Sequence, residues 1–214
     1  MSQSESAIRW KSATAIIALA TALVSIGLMV TGSLDQAAGA LGFIPARISG
    51  LVDAPGAVPA WLTPFSAALV HGGFVHLALN LVMLVWVGMQ VERVLGASSV
   101  ILAYLVGAVV AAGAQWIADP AAMIPMVGAS GAISALFGIY ALLAARPKPV
   151  TRSAAINRAI HAAWLLATWV VIQWMTQLLA GGQGVMLATP AHIGGFIAGL
   201  ALQRPLLLWR YRGA

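Results

Sequence analysis

The chain has 214 residues, 61% of them hydrophobic and 7% charged, with a mean hydropathy of +0.95 and no cysteine, which excludes disulfides and thiolate metal sites. A soluble domain carries about 25% charged residues, and long apolar runs without alternation do not build a barrel, so the chain reads as an all-α integral membrane protein. Its net charge of +6 is no nucleic-acid footprint, because basic residues on a membrane protein mark the cytoplasmic side.

In chain order, a polar segment at 1–12 leads into an apolar run at 13–30. That run is longer than the about 7–15 residues of a signal-peptide core, so it reads as a retained span. The connection 31–66 holds Pro45, Pro55, Pro59 and Pro64 and is apolar for a loop ("LGFIPARISGLV"), which suits the membrane interface. Five more spans are expected at 70–91, 98–118, 128–145, 160–180 and 191–208. The membrane domain therefore runs 13–209, with a tail at 210–214.

Six spans put both ends on one side. Arg9, Lys11, Arg93, Arg146, Lys148, Arg152, Arg158, Arg204, Arg210 and Arg212 all fall on that side, and only Arg47 falls on the other. Both termini are thus expected in the cytoplasm. Trp10, Trp209 and Tyr211 fall at the inner boundary and Trp61 and Trp116 at the outer one. The chain carries no strong internal repeat, which weakens a transporter reading.

Polar residues inside the spans carry the functional signal, because they are costly in hydrocarbon without partners. At a rise of ~1.5 Å per residue, Asn80 and His192 lie ~18 Å above the cytoplasmic boundary and His76 and Ser130 ~24 Å. Four side chains from three helices therefore share the outer half of the membrane. His76 and Asn80, four apart, share a helix face. His71 lies about 140° round from His76 and is expected to fasten the loop that leads in.

Two small-residue faces allow the helices to meet. Span four carries Gly131, Ser134, Ala135 and Gly138, and span six carries Ala191, Gly194, Gly195, Ala198 and Gly199. Ser130 and His192 begin these faces, so close packing would bring them together. A serine beside a neutral imidazole is a base-activated nucleophile. "GASG" sets Ser130 between Gly128 and Gly131 at a helix start, where free N–H groups and the dipole favour an oxyanion. Glu5, Asp35, Asp53, Glu92 and Asp119 are the only acids, and none falls near His192 within a span. A Ser–His dyad is expected, its imidazole oriented by packing and a non-carboxylate hydrogen bond.

Three motifs in this order resemble the rhomboid intramembrane serine proteases over about residues 60–200: "HGGFVHLALN", "GASGAISALFG" and "AHIGGFIAG". "VGMQVERVLGASSVILAYL", between the first two, is similar to the junction of the family's second and third helices. The resemblance implies a six-helix rhomboid-like bundle and a water-filled cavity open to the outside. It implies Ser130 as nucleophile, His192 as base, and His76 and Asn80 as oxyanion donors. It further implies transmembrane protein substrates and no cofactor, and the expected location is a bacterial inner membrane. Rhomboids often carry a Trp-Arg pair in the first loop; Trp61-Leu62 stands nearest here, which puts the loop's anchoring in question.

The rival readings are a non-proteolytic relative, and a channel or transporter using intramembrane histidine. The first would have lost Ser130 or His192, and the second gives no reason for G-x-S-G opposite a histidine. A metal site is weaker still, because the histidines have no neighbouring carboxylate. His161 reads as interfacial. Trp164, Trp169 and Trp174 read as packing or lipid-facing groups, or as the lining of a lateral substrate path beside span five.

Overall fold

The computed structural model describes residues 12–143, 149–179 and 188–213. It is all-helical: α1 (Ala13–Val30), α2 (Leu34–Leu41), α3 (Pro45–Ile48), α4 (Thr63–Ser66), α5 (Phe74–Leu95), α6 (Ala97–Ala118), α7 (Ser130–Leu143), α8 (Ala154–Leu179) and α9 (Thr189–Arg210). No strand occurs among the described residues beyond one isolated bridge, Phe43 to Met126. Among the described residues five helices, α1, α5, α6, α8 and α9, are long and apolar enough to cross a bilayer, and the described part of α7 is apolar but shorter. The protein is an integral, multi-pass membrane protein.

The bundle is organised around α7, which packs against α5, α6, α8 and α9. Ser130, the first residue of α7, is buried among these helices. Ile133, Leu136 and Ile139 on α7 are fully buried, and Leu84 and Val87 of α5 and Val100 and Ala103 of α6 join them in one core. By contrast α8 is peripheral: 17% of its apolar window is buried, against 44% for α6 and α9.

Local chemistry sets the helix ends. Ser12 caps α1, its Oγ accepting from the Ala15 N–H at 3.0 Å. The Glu92 carboxylate, near the far end of α5, accepts the next free amides, Ala13 N–H and Thr14 N–H, both at 2.9 Å, and the Thr14 hydroxyl at 2.6 Å. Gly88, one turn before Glu92, has no room for a Cβ because Thr14 occupies that space. One acidic residue thus locks the start of α1 to α5. Gly96, at φ +85°, reverses the chain between α5 and α6 with no further linker.

Two spans begin away from their expected positions. Residues 70–73 are not helical; α5 starts at Phe74 because Gly73, at φ +146°, leaves the helical region and the preceding backbone is held elsewhere. Helix α8 starts at Ala154 rather than 160, because Asn157 and Arg158 interrupt the apolar run without breaking the helix. The last residues expected of spans four and five, 144–145 and 180, lie outside the described residues.

The connection between α1 and α5 is anchored without a Trp-Arg pair. Trp61 is largely exposed. Arg47 donates from its guanidinium to the Val58 carbonyl at 2.8 Å, closing the loop on itself. Phe43 and Met126 exchange backbone hydrogen bonds of 2.9 and 2.8 Å, the Ser49 hydroxyl donates to the Pro120 carbonyl, and Trp116 donates its indole N–H to Ser49. The loop is thereby fixed to the α6–α7 connection that leads down to Ser130.

Candidate active site

Ser130 and His192 are 62 residues apart, and their side chains meet: Ser130 Oγ lies 2.8 Å from His192 Nε2, both groups buried. Glycines bring the two helices to this distance. A Cβ on Gly195 would collide with the Gly131 carbonyl and one on Gly199 with the Ala135 carbonyl, so α9 lies directly on the backbone of α7. Reciprocally, a Cβ on Gly138 would strike the Phe196 carbonyl. The two small faces do not meet along their whole extent. Gly131 faces Ala111 and Gly194 faces Ala114, both on α6, so α6 forms the third wall of the contact.

His76 and His71 flank the nucleophile loop in different ways. The Gly72 N–H donates to His76 Nδ1 at 3.3 Å, which leaves Nε2 as the N–H of the neutral ring. A Cβ on Gly128 would sit 2.9 Å from that Nε2, so only glycine, here at φ +114°, lets the loop pass beneath the ring. His71 is fully buried and 5.0 Å from His76, ring to ring. Ser25 on α1 gives its proton to the Leu69 carbonyl at 2.8 Å, so it accepts from His71 Nδ1–H at 3.0 Å. The opposite nitrogen then accepts the Ala129 N–H at 3.3 Å, immediately before Ser130. His71 therefore ties α1 to the nucleophile loop.

Asn80 is buried in the same region, one turn below His76. One of its amide hydrogens goes to the His76 carbonyl at 2.9 Å, and its Oδ1 has no partner among the described residues. Of its two amide hydrogens, one is free for other work. His161 is half-buried at the other end of α8 and takes no part.

Nδ1 of His192 is buried with no hydrogen-bond partner among the described residues. Trp169 of α8 packs against the imidazole, ring centroids 6.3 Å apart and planes at 68°. Its indole N–H donates to Ser134 Oγ at 2.6 Å, and Ser134 donates to the Ser130 carbonyl at 2.7 Å. Trp169 is 1% exposed, whereas Trp164 and Trp174 face outward at 70% and 47%. Ser25, Ser134 and Trp169 belong to the site and carried no signal of their own. The spacing of Ser134, four residues after Ser130, is the one feature that could have placed it on the same helix face.

These groups can perform acyl transfer: a hydroxyl on a neutral imidazole, with the free N–H groups of a helix start and an imidazole N–H on the opposite side. Among the described residues no group of three His, Cys, Asp or Glu side chains is arranged to hold a metal ion.

The Rhomboid domain family model matches residues 59–209. The rhomboid protease GlpG of Pectobacterium atrosepticum is 32% identical over 139 residues, covering 64% of this chain and 46% of that protein. The RHOMBOID-like protein 5 of Arabidopsis thaliana is 30% identical over 143 residues, covering 67% and 43%. The putative rhomboid protease YdcA of Bacillus subtilis is 32% identical over 80 residues, covering 37% and 40%. The chain spans less than half the length of each of these relatives. With a family match that takes in α5 to α9 and so all four of the polar residues gathered above, the chain belongs to the rhomboid family.

Proposed function

We propose that this protein is an intramembrane serine endopeptidase that cleaves transmembrane proteins near the outer membrane face through a Ser130–His192 dyad. The observation that carries this reading is the 2.8 Å contact between Ser130 Oγ and His192 Nε2, buried between two helices. His192 takes the Ser130 proton as Oγ attacks the scissile carbonyl, and returns it to the leaving amine. A water then repeats the cycle on the acyl-enzyme. The oxyanion is met by the N–H groups that open α7, by His76 Nε2–H and by the second amide hydrogen of Asn80.

The chain crosses the membrane six times with both ends in the cytoplasm, as its basic residues favour, so that α5, α7 and α9 all run inward from the outer face. Their active groups then cluster near the outer face. A substrate helix must unwind locally to expose its peptide bond, which glycine or proline in its outer third makes easier. Gly128, Ala129, Gly131 and Ala132 crowd the nucleophile and favour a small residue such as alanine before the cut. The inner membrane of a bacterium is the setting we favour.

The deciding experiment is reaction of the purified protein with a fluorophosphonate, wild type against Ser130→Ala. Labelling that Ser130→Ala abolishes, with cleavage of a single-span substrate near its outer end, is the expected result. An unlabelled wild type that cleaves nothing would instead point to a non-proteolytic binding protein, and ion flux to a channel.

A further inference from the structure

We propose that Trp169 is a positioning residue for His192, held in place through Ser134, so that the seating of α8 sets the aim of the base. This rests on the protease reading above.

Among the described residues, His192 is held by hydrogen bonding at one nitrogen. A ring bonded at Nε2 alone still pivots, and its second anchor here is an aromatic wall. Trp169 is the largest fully buried side chain among the described residues. Phe137 of α7 stacks on the indole, centroids 4.8 Å apart and planes at 23°, while His192 meets the same ring system nearly at right angles. The indole cannot slide freely, because its N–H is committed to Ser134 Oγ, and that hydroxyl has spent its own proton on the Ser130 carbonyl. The chain Trp169, Ser134, Ser130 thus references the wall that orients the base to the backbone of the residue that bears the nucleophile.

The wall comes from the helix with the least burial. Val171, Trp174 and Leu178 of α8 are exposed, whereas Trp169 points inward. A small movement of α8 reaches the imidazole through this ring. Misplacement of a reacting group by about 1 Å can cost about 10²-fold in rate. The loss should appear in kcat, because the imidazole acts on the transition state and not on substrate binding.

The test uses the full-length protein in bicelles, with kcat and KM on a single-span substrate, fluorophosphonate acylation rate and melting temperature. Rates are normalised to folded protein. Trp169→Leu should lower kcat and acylation 10- to 100-fold, with KM within about twofold of wild type. Trp169→Phe keeps an aromatic wall but loses the hydrogen bond to Ser134, so kcat should fall several-fold, less than in Trp169→Leu. Ser134→Ala frees the indole and should lower kcat several-fold. If Trp169→Leu does not fold, Ser134→Ala and Trp169→Phe decide between themselves, and wild-type kcat in Ser134→Ala overturns the proposal. Wild-type kcat per folded molecule in both Trp169→Leu and Ser134→Ala also overturns it, leaving Trp169 a packing residue. A wild type inert to both probes defeats the protease reading and this inference with it; an active wild type with unaffected variants defeats only the inference.

Discussion

Removing the Glu92 carboxylate should unfasten α1 from the bundle. Three donors converge on it: the Ala13 and Thr14 amides at 2.9 Å each and the Thr14 hydroxyl at 2.6 Å. Hydrogen bonds to a charged group are worth about 1.5–3 kcal/mol each, but the three share one acceptor and do not add. Glu92 is half-buried, which weakens the charge contribution further, and Thr14 is fully buried, so its hydroxyl would lose its acceptor where water cannot easily replace it. For Glu92→Ala we therefore expect about 2–4 kcal/mol of destabilisation, a fall of roughly 5–15 °C in Tm. Glu92→Gln keeps one carbonyl acceptor but turns an NH2 toward an amide, and should lose about half as much. Thermal melting of both variants in one detergent is the assay. An unchanged Tm for Glu92→Ala would mean that α1 is held by packing alone.

The other predictions concern the site. Ser130→Ala and His192→Ala should each abolish proteolysis, and the double variant should cost little more, because the pair acts as a unit; a Ser130→Ala protein with full turnover ends the dyad assignment. His76→Ala should lower kcat by about 10²–10³-fold with little change in melting, as an oxyanion donor does, and Asn80→Ala should lower it less, since one of its hydrogens is already committed. His71→Ala should instead lower Tm, because it strands Ser25 and Ala129 together; a stable but inactive variant would move His71 into the catalytic set. Gly199→Leu must displace α9 from the Ala135 carbonyl, so both stability and activity should fall; an unaffected protein would refute the close approach of α7 and α9.

The spans were legible because a bilayer imposes length and apolarity on every crossing helix, and α1 begins and ends where its apolar run does. The meeting of Ser130 and His192 was legible because polar residues are rare within apolar spans, and glycine at Gly195 and Gly199 announces close approach. What hydropathy cannot report is which side of an apolar helix faces inward. Trp164, Trp169 and Trp174 are five residues apart, so each is turned about 140° from the last and they cannot share a face. Nothing in the sequence selects Trp169 as the buried one. The start of α5 was misread for a related reason: residues 70–73 are apolar enough to belong to a span, but His71 holds them between Ser25 of α1 and the Ala129 amide. Glu92 was legible as a boundary marker and not as a clamp, because its partners lie nearly 80 residues away.

The separation of Ser130 from His192 has a consequence for when activity arises. The nucleophile is synthesised 62 residues before its base. At roughly 5–20 residues per second, the ribosome needs several seconds to cover that distance. During this interval the bilayer holds a chain with the Ser130 hydroxyl but without the His192 imidazole, while neighbouring nascent helices are passing into the same membrane. On the protease reading proposed above, competence is thereby delayed until the last of the described helices docks, and a copy stalled before α9 lacks the base it needs to cleave the proteins inserted beside it.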